Sequence, residues 1–249
     1  MSYNYDNTAR SRIYASLFSR RVVAEVLAGS YKSIDKIYNL FRDNEALERK
    51  TYLDYFLYLY RSMMKHYRCE YVFKNEVINK ILLRHFSNPN TVSFSEFRVN
   101  QSIADLVMFN GISRAYEIKT DYDSDKRLIS QLTDYNKLFE KTYLVISATG
   151  YRVIREAEKN TIIDIHTLMR SIRATEYKNI VKEIYGTLPN VSEFDMFEAC
   201  ENLLKVADNN KVRDTFMNVI KQRKTNTQSL GQFERCFRQL GVATNMTLT

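Results

Sequence analysis

The stretch Tyr116–Gln131, YEIKTDYDSDKRLISQ, decides how this chain is read. It starts as the end of an apolar strand and finishes as the start of a helix, and Glu117 and Lys119 flank a single isoleucine. Alternate residues of a strand share a face. A carboxylate and an ammonium therefore point the same way at the strand's end, a placement that calls for a chemical reason.

Upstream, three strand-like segments follow one another: TVSFSEFRV at 91–99, SIADLVMFN at 102–110 and SRAYEIK at 113–119. Asn110-Gly111 between the last two is the strongest short hairpin signal in the chain. A helix is expected before them, from about Glu70 to His85, with Val72, Phe73, Val77, Ile81 and Leu82 on one side and a break at SNPN, 87–90. Downstream, Thr120 to Asp125 is polar except for Tyr122, and Asp123 or Ser124 can cap a helix. Leu128, Leu132, Tyr135 and Phe139 then repeat at helical spacing through about Lys141. TYLVIS at 142–147 reads as a buried strand, and TIIDIH at 161–166 as one more.

The ends are helical. From about residue 10 to 70, apolar side chains recur at mixed three and four spacings, with a break at Gly29-Ser30. The tyrosines at 52, 55, 58 and 60 read as helix packing rather than a base-stacking stripe. From about 167 the chain is helical and charged, with KQRK at 221–224 read as a solvated face and the last eight residues as frayed. The expected division is a helical region at 1–69, a core at 70–166 and a second helical region at 167–249, packed as one compact unit. The fold class is α/β, a mixed central sheet between helices.

Composition agrees with a folded protein: 249 residues, 45% hydrophobic and 13% aromatic, with only 6 Gly and 2 Pro. The net charge of +8 favours a polyanionic partner. Cys69, Cys200 and Cys236 stand far apart, and His66, His85 and His166 are equally scattered, so neither a disulfide framework nor a zinc site is indicated. The apolar run VVAEVLAG is interrupted by Glu25 and is far shorter than the ~20 residues of a membrane span. A cytoplasmic protein is expected, with no membrane association.

The chemistry-bearing set is Asp105, Glu117 and Lys119. Asp105 stands at the head of the apolar run ADLVMF, where an unpaired carboxylate is costly to bury. Two carboxylates converging on one spot invite a cation, and oxygen-only ligands suit Mg²⁺ or Mn²⁺. Lys119 can orient a water or offset developing charge. Register tests this. A two-residue loop at Asn110-Gly111 would pair Asp105 with Tyr116 and send Asp105 and Glu117 to opposite faces. The site requires an odd offset, from a three-residue loop with Gly111 left-handed or from a bulge near Asp105.

This order of helix, strand, strand with Asp, strand with Glu-x-Lys, helix and strand resembles the PD-(D/E)XK nuclease superfamily over residues 70–148, with Ala104 in place of the eponymous proline. More narrowly, YEIKTDYDSDKRLISQLTDY resembles a group of small bacterial nuclease-like proteins of unestablished substrate. The resemblance implies a restriction-endonuclease-like core. In it Asp105 and Glu117 hold a divalent ion, Mg²⁺ or Mn²⁺, and Lys119 is catalytic base or charge stabiliser. Gln131 and Tyr135 match a Q-x-x-x-Y element, and Arg127, Gln131 and Tyr135 fall on one helical stripe able to hold a phosphate backbone. Superfamily members often add a carboxylate. Glu96 is the preferred candidate and Glu76, on the preceding helix, the second.

The expected activity is metal-dependent phosphodiester hydrolysis with DNA as partner, RNA and a homodimer remaining open. Two other readings stand beside it: a silent nucleic-acid- or partner-binding protein on the same fold, and a toxin or phage-defence nuclease that awaits a partner.

Overall fold

The computed structural model describes residues 6–41, 51–77, 91–120, 123–146, 150–156 and 162–223. The chain divides into two compact units, one built mainly on residues 1–87 and the other on 88–225. The second half of the helix expected at 70–85, the SNPN break, Lys224, His85, Cys236 and the last eight residues lie outside the described residues.

The first unit is helical: α1 Asn7–Ala15, α2 Arg20–Leu27, α3 Lys32–Phe41, α4 Tyr52–His66 and α5 Glu70–Val77. Asp6 caps α1 by accepting from the Ala9 N–H, and Thr51 caps α4 by accepting from the Asp54 N–H. Gly29, at φ 77°, stands in the break between α2 and α3, in a conformation that favours glycine. Tyr14, Leu17, Phe18, Ile34, Phe41, Leu59 and Met63 form the core. The tyrosine stripe joins it: Tyr55 and Tyr60 are buried, while Tyr52 stacks on Tyr31 with ring centroids 4.0 Å apart. Helix α5 belongs here and not with the sheet, because the Tyr60 hydroxyl donates to Glu76 at 2.8 Å and accepts from the Asn75 amide at 2.9 Å. The boundary expected between residues 69 and 70 therefore falls after α5.

The second unit is a five-stranded mixed sheet with strand order β1-β2-β3-β4-β5. The strands are β1 Val92–Val99, β2 Ser102–Phe109, β3 Ser113–Lys119, β4 Lys141–Ile146 and β5 Gly150–Glu156. All neighbours are antiparallel except β3 and β4, which run parallel through the crossover helix α6, Leu128–Leu138. Among the described residues four further helices follow: α7 Ile165–Ser171, α8 Ala174–Tyr185, α9 Met196–Val206 and α10 Asn209–Lys221. They share one hydrophobic core with the strands, in which Val107, Phe109 and Ala115 meet Leu138, Phe139, Leu168, Ile180 and Phe216. The described C-terminal helices are thus part of the sheet's own unit rather than a flank beginning at 167.

Two local readings differ. The described part of TIIDIH, residues 162–166, is not a strand. The Asp164 side chain takes the Thr167 N–H at 2.7 Å and caps α7, while Asn209 accepts from the Ile163 N–H at 3.0 Å and donates to the Ile163 carbonyl at 3.1 Å. Side chains satisfy the backbone groups that a ladder would otherwise have taken. The actual fifth strand lies earlier, at Gly150–Glu156. Within KQRK, Arg223 departs from a solvated face, while Gln222 is exposed. Arg223 bonds Glu176 at 2.7 and 2.9 Å and lies over the Phe94 and Phe97 rings. Cys69 and Cys200 are free thiols, and no helix among the described residues is long and apolar enough to cross a membrane.

Candidate active site

The β2–β3 hairpin sets the site. Phe109 pairs with Ser113, Met108 with Arg114, Val107 with Ala115 and Leu106 with Tyr116. The loop is therefore the three residues Asn110, Gly111 and Ile112, with Gly111 at φ 95°. Carried one step further, this register sets Asp105 opposite Glu117, the odd offset that puts both acids on one face. The ladder itself stops at Leu106. Beyond it the Asp105 carboxylate, and not a main-chain carbonyl, takes the Ile118 N–H at 2.7 Å. The two strands part where the acids stand.

Glu117 is 1% exposed, so its charge needs partners. Lys119 Nζ lies 3.1 Å from its Oε1, and the Tyr135 hydroxyl 2.7 Å from its Oε2. Lys119 Nζ also donates to Gln131 Oε1 at 3.4 Å, which ties the ammonium to α6. The lysine side chain keeps 15% of its surface open and Asp105 is half-buried, so the set is reached from solvent on the lysine and Asp105 side.

Tyr135 is fully buried. Its hydroxyl stands 2.7 Å from both Glu117 Oε2 and the Ile103 carbonyl. Burial, followed by the negative charges of Glu117 and Asp105, holds this phenol far above its usual range, so it stays a donor. It acts by fixing Glu117 against β2 and does not present itself to a phosphate backbone. Tyr135→Phe leaves two acceptors in a dry site with one donor fewer. The expected cost is about 1–3 kcal/mol, measured as a lower urea midpoint with an unchanged m-value.

The remaining expected residues fall as follows. Gln131 shares the site, one turn before Tyr135. Arg127 lies in the exposed 3₁₀ turn Asp125–Arg127 before α6, and among the described residues no hydrogen bond or ion pair joins its guanidinium to Glu117, Lys119 or Gln131. Glu96 stands between the pairs Ser95–Leu106 and Phe97–Ala104, opposite Asp105 in register, but its φ of 56° takes it out of the ladder, and its exposed side chain lines a groove beside β1. Glu76 sits in the other unit, bonded to Tyr60. Among the described residues no group of three His, Cys, Asp or Glu side chains could hold a metal. Glu96 and Glu76, the candidates for an added carboxylate, belong to no such group there. The main-chain groups of Ile118 and Ile103 belong to the site as well, and no side-chain pattern could have signalled them.

The family described as Bacteriophage P4 protein cII matches residues 63–151, a stretch that holds β1 to β4 and every residue that meets at the site. Protein cII of Enterobacteria phage P4 is 25% identical over 145 residues, 48% of this chain and 54% of that protein. The chain spans about half the length of this curated relative. No solved structure matches the chain.

Proposed function

We propose that the chain is a divalent-metal-dependent nuclease that hydrolyses phosphodiester bonds in DNA, built on a restriction-endonuclease-like core of the PD-(D/E)XK type and acting in the cytoplasm. One observation carries the reading: the hairpin register faces Asp105 with Glu117 where β2 and β3 part, and Lys119 Nζ lies 3.1 Å from Glu117.

The donor set fits the ion. Two carboxylates without a nitrogen or sulfur donor suit Mg²⁺ or Mn²⁺, and Mg²⁺ in particular keeps several waters and is held by one or two acids plus substrate phosphate oxygens. Asp105 and Glu117 are the residues that would hold it, and when bound such an ion polarises a phosphoryl oxygen and acidifies a water. The rest follows from the chain itself. Ile118 fixes one oxygen of Asp105, and Tyr135 fixes one of Glu117. Lys119, steadied by Gln131, sets a positive charge beside the acids, where it can orient the attacking water or meet charge that builds on the phosphate. Arg127, exposed before α6, is free to meet a phosphate further along the strand, in keeping with the net charge of +8.

The test incubates the protein with Mg²⁺ or Mn²⁺ and with linear, nicked, branched and single-stranded DNA, alongside an RNA. Cleavage products are expected with the ion, none with chelator, and none from Glu117→Gln. Wild-type protein that binds these substrates yet cuts none with either ion would replace this reading with that of a silent binding protein.

A further inference from the structure

A groove of about 320 Å³ runs beside β1, outside the site described above. Five consecutive residues, Phe94–Arg98, form one wall, and the junction of α7 and α8, with Arg173, forms another. β1 is the edge of the sheet. Alternate side chains leave a strand on opposite faces, so five in a row can line one groove only if the strand turns its edge toward it.

The floor is fixed. Phe94 and Phe97 are buried, and the Arg223 guanidinium lies 5.2 and 4.8 Å from their centroids, held by its two bonds to Glu176. The mouth is charged. Arg98 and Arg173 are exposed there; among the described residues neither guanidinium forms an ion pair, and Arg173 adds its charge to that of Arg223 beside Glu176. Glu96 opposes one of them and Glu176 already matches Arg223, so one positive charge remains in excess. The left-handed backbone at Glu96 is unusual for a residue other than glycine. It moves a carboxylate from the row of Asp105 and Glu117 to the groove, which begins one strand, about 5 Å, from Asp105.

We propose that this groove holds the sugar-phosphate backbone of the substrate strand beside the cleaved position, with Arg98 and Arg173 on its phosphates; the inference rests on the nuclease reading. Guanidinium forks match phosphate oxygens in pairs. Contacts to the backbone position a strand without reading its sequence. Glu96 repels a phosphate from the middle of the groove, so phosphates lodge at its arginine-bearing ends. The rings of Phe94 and Phe97 are covered by Arg223, and the groove therefore grips the backbone and stacks no base.

The test measures fluorescence anisotropy of a labelled single-stranded DNA and of its duplex, in chelator, across a salt series. Arg98→Ala/Arg173→Ala is expected to lose about tenfold in affinity for at least one probe, and to flatten the log K against log salt slope by about 1.4–1.8, two phosphates' worth. Cleavage should show a raised KM at unchanged kcat. Lys182→Ala/Lys205→Ala removes the same charge from exposed faces of α8 and α9 and should change affinity less than about threefold. The proposal is overturned if the arginine variant keeps wild-type affinity and slope, if the lysine variant loses as much, or if the wild type binds neither probe. Cleavage by the wild type with an unaltered arginine variant removes the groove and keeps the nuclease; arginine-dependent binding with no cleavage in any ion does the reverse.

Discussion

Lys119→Met is expected to lower Mg²⁺-dependent DNA cleavage by about 10²–10³-fold in kcat, the usual cost of removing one donor aimed at developing charge, while DNA binding is retained. The same substitution has a second effect that does not depend on turnover. Glu117 is 1% exposed, and its Oε1 is held by Lys119 alone among the bonds described for it, with Tyr135 on the other oxygen. Removing one member of a buried pair costs about 3–5 kcal/mol, and the lower end applies because the lysine side chain is 15% open to water. At about 2–4 °C per kcal/mol for a unit of this size, the melting transition falls by about 6–12 °C. An ion that binds the folded form and replaces the lost charge raises it again by RT ln(1 + [L]/Kd). Mg²⁺ should thus shift the variant's melting temperature more than the wild type's. Cleavage at the wild-type rate would remove Lys119 from the chemistry. A wild-type melting temperature without metal would show that the ion pair does not hold Glu117.

The legible part of this fold is the part in which side-chain period and backbone period agree. Strands β1 to β4 lie within a residue of the segments read from alternation and apolar runs, and Asn110-Gly111 marked the turn. The chemistry of the site supplied its register. Two acids on one face demanded an odd offset, and the pairing of Phe109 with Ser113 is that offset. Strand β5, Gly150–Glu156, escaped because GYRVIRE carries charges at alternate and adjacent positions, and an edge strand beyond β4 needs no continuous apolar run; Thr149-Gly150 ahead of it was the available turn signal. TIIDIH misled for the opposite reason. Its isoleucines have β-propensity, but Asp164 three residues before Thr167 offers a cap, and Asn209, 46 residues away from Ile163, completes the backbone bonding. Tyr135 was assigned to the correct helix face with the wrong neighbour, since a period of 3.6 tells which residues align but not whether the stripe faces solvent or a buried carboxylate. Glu96 could not be placed from sequence at all, because a single left-handed residue reverses the side on which a strand's side chain emerges.

Arg223→Ala is expected to destabilise the sheet-bearing unit by about 3 kcal/mol. Its guanidinium makes two bonds to Glu176, whose carboxylate is buried and also takes the Arg173 N–H at 2.7 Å, at the start of α8. The alanine leaves that carboxylate in a dry position with one donor and uncovers the Phe94 and Phe97 rings, losing packing as well as charge. The pH dependence separates the two contributions. Burial alone pushes the Glu176 carboxyl up, yet the Arg223 bonds and the Arg173 N–H overcome it and hold the group below its ordinary value of 4.5. A carboxyl with a folded pKa below its unfolded one adds stability that is complete above the unfolded value and is lost as pH falls through the folded one. The wild type should therefore lose stability on acidification from about pH 4.5 downward, as urea midpoints at successive pH values would record. Without Arg223 only the Arg173 N–H and charge oppose burial, so the folded pKa rises and the acid-side loss from this group should shrink, while the packing loss persists at every pH. An Arg223→Ala variant with the wild-type acid slope would mean that Glu176 is held by α8 alone, and that Arg223 serves the fold only as a cover for the two rings.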